Sequence, residues 1–187
     1  MAGLGLAMRV LYAGAIIGIA YCLIRFVEYN FYFARSRAPN GAEAAAIGAA
    51  DALVAVTPGF GGYAARRVGT LARIADRDLT PTKWALEPQF ASSLLVLTDA
   101  LVSEVDTPFL ASTIVHEMVH EGQFPGYKGT SWAQKAAYQV QSDFLRQLGI
   151  QGTAAQMYRQ FPNTRADYIT DLHDEFSDYN VRNPAIR

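Results

Sequence analysis

The sequence predicts an α+β fold, mostly helical, built around one short strand and preceded by a hydrophobic helix. Three observations carry this. Leu110 to Val119 and Ala133 to Leu148 repeat apolar residues with the 3.6-residue period of an amphipathic helix, and both have helix start and stop signals. Ser92-Ser93-Leu94-Leu95-Val96-Leu97-Thr98 is a short apolar run bounded by polar residues, which fits a strand. Val10 to Ile24 carries no charge at all. With 187 residues, 51% of them apolar, the chain can bury one core.

From the N-terminus, residues 4–24 form a membrane-length segment interrupted only by Arg9, whose long side chain can reach the interface. Membrane association is expected, and Arg25, Arg35 and Arg37 place the remainder on the cytoplasmic side by the positive-inside rule. Gly14 and Gly18 have the spacing for close helix packing, so helix-mediated self-association is expected as well. A cleaved signal peptide fits poorly, since early charge and a small-x-small cleavage site are lacking. Asn40-Gly41 divides the chain into residues 1–40, the hydrophobic helix and its flank, and residues 41–187, the compact domain. In the second part Ala42 to Val56 reads as an alanine-rich helix, broken by Pro58-Gly59-Phe60-Gly61-Gly62. Tyr63 to Ala75 reads as another helix with Arg66, Arg67 and Arg73 exposed. The strand at 92–98 follows, and the acidic tail from Asp167 to Asp178 has helical character.

Between strand and tail lie the two periodic helices. Asp106-Thr107-Pro108 supplies a capping residue and a proline for the first turn, and Gly122 is suited to leave the helix in a left-handed conformation. This helix carries His116-Glu117-Met118-Val119-His120. The four-residue spacing sets the imidazoles one turn apart on one face, about 6 Å along the axis, within reach of a single metal ion. Glu117 projects beside them, and two of the chain's three histidines lie here. On the next helix Ser131-Trp132-Ala133-Gln134 reads as a capping box, and the periodic run ends at Gly149.

This motif resembles the HExxH zinc metallopeptidases, the zincins. The resemblance implies Zn2+ as cofactor, His116 and His120 as two of its ligands, and Glu117 as general base in hydrolysis of a peptide bond by metal-activated water. It also implies a zincin-like minimal catalytic domain in which the strand before the motif helix lies at a sheet edge. There it would pair with an extended peptide or protein substrate, the alternative being a buried strand with no ligand. The longer pattern HExxHxxGxxH does not fit, because Gly122 comes one position early and no histidine follows. In the gluzincin branch the third ligand is a glutamate on the following helix, and here that helix has none.

Gln139-Val140-Gln141-Ser142-Asp143 has the outline of the gluzincin Glu-x-x-Ser-Asp segment, with glutamine in the ligand's place. Around the helix, Trp132, Ala136, Gln139 and Asp143 line one border of the apolar stripe. Asp143 and Gln139 are therefore the metal-ligand candidates, with Asp143 alternatively orienting His116 or His120. Gln134 ranks below them because the capping box accounts for it. His173, in Asp171-Leu172-His173-Asp174-Glu175, is the other candidate, as a third nitrogen ligand or as a catalytic donor to the oxyanion. Tyr138 and Tyr168 are further oxyanion candidates.

Three functions follow. The first is a zinc-dependent metallopeptidase. The second is a non-catalytic binding or structural protein on the same scaffold, because a neutral amide is a weak donor to zinc. The third is a secreted or polymorphic-toxin peptidase whose apolar segment helps to cross a membrane. A net charge of −1 and the lack of a basic stripe set nucleic-acid binding aside. The single cysteine, Cys22, leaves no intrachain disulfide and no cysteine-based zinc site. Trp84, Phe90 and Trp132 are expected in the core or in groove walls.

Overall fold

The computed structural model describes residues 2–76, 79, 85–88 and 93–150. Its elements are α1 (Ala2–Ala34), α2 (Gly41–Val56), α3 (Gly61–Val68), β1 (Leu71–Ala75), β2 (Ala85–Leu86), β3 (Leu94–Thr98), α4 (Asp99–Glu104), α5 (Thr107–Glu121) and α6 (Ser131–Gln147). The described chain is mostly helical, with one small three-stranded sheet and an apolar N-terminal helix.

The sheet order is β1-β3-β2, with β3 parallel to β1 and antiparallel to β2. All five residues of β3 are buried. Leu95 and Leu97 join Ile114, Met118 and Phe144 in the main core, while Leu94 and Val96 face Tyr29, Tyr32 and Leu86 on the other side. Burial on both faces is why this strand reads as an unbroken apolar run instead of an alternating one. It also corrects the expected edge position: β3 is the middle strand, and β2, which contacts α5, is an outer one.

α1 has two characters. An 18-residue window within Gly5–Ala34 has mean hydropathy 2.0 and none of it is buried, so the helix is long and apolar enough to cross a membrane. Its last turns are docked. Tyr29 and Tyr32 pack on the sheet, and the Arg73 guanidinium lies 4.1 Å from the Phe33 ring centroid and donates to the Phe33 carbonyl at 3.1 Å. Beyond the helix, Arg37 pairs with Ile74 through two backbone hydrogen bonds of 2.8 and 2.9 Å. The same arginine grips both oxygens of Glu43 at 2.6 Å, and Glu43 completes the capping box of α2 with Asn40. The boundary expected at Asn40-Gly41 is thus a helix start, tied to the end of α1.

Three local expectations are overturned. The helix expected from Tyr63 to Ala75 stops at Val68, and Leu71–Ala75 is the strand β1. Its residues are helix-permissive, but pairing with β3 over the full length of both strands outweighs so weak a preference. Arg67 is buried, with the Asp51 carboxylate 3.3 Å away and the Thr70 carbonyl at 2.7 Å, and Arg73 is half-buried. α6 is capped by Thr130, whose hydroxyl accepts from the Ala133 amide, so Ser131 and Gln134 form no capping box. Gly149 then closes the helix at φ +75°, with the Ile150 amide bonded back to Leu145.

Gly122 ends α5 in a right-handed conformation, φ −79°. Its lack of a side chain serves a close approach: a Cβ there would sit 2.6 Å from Nη1 of Arg66, which donates to the Met118 carbonyl at 3.2 Å in the last turns of the helix. Trp132, expected in the core or a groove wall, is 70% exposed. Trp84, Phe90 and the 167–178 tail lie outside the described residues.

Candidate metal centre

α5 is buried from Phe109 to His120, apart from half-buried Thr113, because β3, α2 and α6 surround it. His116, Glu117 and His120 are each only 5% exposed and line one cavity of about 300 Å³. The two Nε2 atoms face one another at 3.2 Å. Which of them carries a proton follows from the outer hydrogen bonds.

Ser112 donates its single hydroxyl proton to the Phe109 carbonyl at 2.8 Å. Its oxygen must therefore accept from the amide nitrogen of Gln141 at 3.3 Å, and this turns Oε1 of Gln141 toward Nδ1 of His116 at 3.0 Å. Gln123 is fixed in the same way: its amide nitrogen donates to the Ala133 carbonyl at 3.2 Å, leaving Oε1 to face Nδ1 of His120 at 2.7 Å. Both Nδ1 atoms are donors, so both Nε2 atoms present lone pairs to the same point. Two lone pairs cannot bond each other. Two nitrogens each about 2.0–2.1 Å from one tetrahedral zinc ion stand about 3.3 Å apart, which matches the separation found. Burial, with the neighbouring His120, pushes His116 down to about 3, and burial also lowers His120. Both rings are then neutral at pH 7, as metal ligands must be.

A third side chain comes from α6, and it is Gln134. Its amide lines the cavity beside both imidazoles and acts electrostatically on each. A planar amide can turn N–H groups to free lone pairs or its oxygen to an ion held between them. Gln134, Tyr138 and Gln141 follow one another at i, i+4 and i+7, on one face of the helix, toward α5. The Tyr138 ring sits 4.3 Å from that of His116. Gln139 and Asp143 are on another side: Gln139 donates to Asp143 at 3.4 Å, Asp143 pairs with Arg146, and neither lines the cavity. The outer partner of His116 is Gln141, not Asp143. Among the described residues no group of three His, Cys, Asp or Glu is placed to hold an ion. The donor set is therefore two imidazoles and an amide, which fits zinc in spacing and protonation and is weak only in its third member. His173 and Tyr168 lie outside the described residues.

Glu117 is held from the sheet side. The Glu87 amide, just past β2, donates to its Oε2 at 2.8 Å. The Glu87 carboxyl is buried as well, paired with the buried Lys128 ammonium and facing the Glu121 carboxyl. Burial first, and then the Glu121 carboxyl, push Glu87 up to about 9 against the pull of Lys128. A buried carboxyl beside a second carboxyl favours its neutral form. Glu87 and Lys128 both line the cavity, as do Glu28 and Tyr32 of α1. None of these four was singled out from the sequence, where no local spacing links residues that meet only across the fold.

No family model, curated protein or solved structure matches this chain.

Proposed function

We propose that the protein is a zinc-dependent metallopeptidase whose centre is His116, His120 and Gln134, with Glu117 as general base. The observation that carries this reading is the pair of imidazole Nε2 atoms 3.2 Å apart, each ring backed at Nδ1 by the side-chain oxygen of a glutamine. Zinc, when bound, supplies Lewis acidity and activates water near neutral pH. The chain's own residues do the rest. His116 and His120 arrive neutral, so no proton has to leave before the ion enters. Glu117 takes a proton from the attacking water and passes it to the leaving amine, and the Glu87 amide keeps its carboxylate aimed during both transfers. Lys128, ion-paired with Glu87, lines the same cavity and can donate to a carbonyl oxygen as negative charge develops there.

Zinc titration of the full chain, followed by peptide hydrolysis, tests this. One zinc per chain is expected for wild type and Glu117→Gln alike, with hydrolysis reduced by about 10²–10⁴-fold in the variant. Wild type that takes up no zinc sinks the proposal. A second reading, a non-catalytic scaffold, draws on one observation, the neutral amide where a carboxylate would bind more tightly. It predicts no difference in proteolysis between wild type and Glu117→Gln, with zinc bound in both.

A further inference from the structure

One wall of the cavity belongs to α1. Glu28 and Tyr32 line it together with His116 and Glu117, on the same unbroken helix whose preceding residues are bare and apolar. Phe26 and Val27 are 67% and 65% exposed, whereas Tyr29 and Tyr32 pack on the sheet. The change from bare to docked on the cavity side takes between one and two turns. At 1.5 Å per residue, Tyr32 stands only about 7.5 Å beyond Val27 along the axis. The join is stiff, because Arg73 and Arg37 clamp the end of α1 to β1 and α2.

A second observation does not involve α1. Lys128 and Gly129, between α5 and α6, line the same cavity. The surrounding stretch carries Phe124, Tyr127 and Trp132 at 82%, 43% and 70% exposure. Aromatic side chains left bare in this way belong at the headgroup level of a bilayer, where apolar rings and polar tips are both satisfied.

We infer that the cavity opens at the membrane surface and acts on the juxtamembrane stretch of other membrane-anchored polypeptides. This rests on the peptidase reading above. A polypeptide suits the wall better than a lipid does, because β2, an outer strand of the sheet among the described residues, contributes Leu86 to it, and an extended chain can pair along such an edge. Anchoring both partners in one bilayer raises the effective concentration of substrate at the site.

The test uses the full, zinc-loaded chain in phosphatidylcholine vesicles. Its probes are polypeptides with one transmembrane helix and a mixed-sequence tail, and the same tails without the helix. Cuts mapped by mass spectrometry are expected to cluster in the first few residues outside the bilayer, and anchored tails to be cut about tenfold or more faster than free ones. Cuts spread evenly along the tails, equal rates for both forms, or consumption of lipid headgroups in place of tail cleavage would overturn the inference. Placement is read separately from a nitroxide at Phe31→Cys in a Cys22→Ser background, by collision with oxygen and with a nickel chelate. Headgroup depth is expected. A label in bulk water overturns the placement even where peptides are hydrolysed, whereas headgroup depth with no tail cleaved overturns the peptidase reading and this inference with it.

Discussion

At the scale of single residues, the histidine pair is governed by the side chains behind it. Gln141 and Gln123 decide the tautomers of His116 and His120, and each is held by a second hydrogen bond that leaves it no freedom to flip. Gln141→Leu keeps the volume of this buried position and removes the acceptor. His116 can then protonate at Nε2 and turn its lone pair away. Zinc affinity, measured by competition with a chromophoric chelator, is expected to fall about 10–100-fold with an unchanged circular dichroism spectrum. An unchanged affinity would show that the tautomer is not set there. The motif itself was legible from sequence because four residues of helix fix where two imidazoles go. The glutamines were not, since a buried amide looks like any polar residue until the neighbouring helix is in place.

At the scale of elements, α6 shows how an amphipathic pattern can mislead. Its polar residues Gln134, half-buried, and Gln141, buried, lie on the face toward α5, so a reading that sends polar residues to the border selects Gln139 and Asp143, which pair with each other on another side of the helix. The misplaced cap compounded this: with Thr130 as the true N-cap, Gln134 has no capping role and is available to the site. The junction of α1, β1 and α2 makes a pH prediction. The hydrogen-bonded Arg37 is the main cause that holds Glu43 down to about 2 from an ordinary 4.5, with the Asn40 amide adding to it. The folded state therefore binds fewer protons than the unfolded state between those values. The stability that Glu43 contributes is fully present above about pH 4.5 and is lost as pH falls toward about 2. Urea unfolding across this range should show a shallower acid limb for Glu43→Gln than for wild type, and parallel limbs would exclude the junction as the cause.

At the scale of the whole molecule, three layers are stacked: the end of α1, the sheet, and the helices α2, α5 and α6. The hydrophobic helix is therefore both an apolar rod and a piece of the fold. Removing residues 2–24 should leave a cooperative thermal transition, because Tyr29 and Tyr32 still cover Leu94 and Val96. Removing residues 2–36 should cost about 2 kcal/mol or more from the uncovered sheet face alone and raise binding of a hydrophobic dye. Equal melting of the two truncated forms would show that the outer layer is dispensable.

Local geometry was open to reading from the chain alone. The helix that carries His116 and His120, its start at Asp106 with Pro108 in the first turn but without a side-chain cap bond from Asp106, the apolar segment before Arg25 and the strand at 94–98 each depend on neighbours a few residues away, where residue period and a first-turn proline speak directly. Everything that depends on how elements meet was settled by the tertiary structure. Pairing with β3 made a strand of Leu71–Ala75, and pairing with β1 on one edge and β2 on the other put β3 at the centre of the sheet. Contact between α5 and α6 brought Gln134 and Gln141 to the histidines, and Glu87 met Lys128 across 41 residues of sequence. Such contacts arise from packing between distant segments, and no local spacing encodes them.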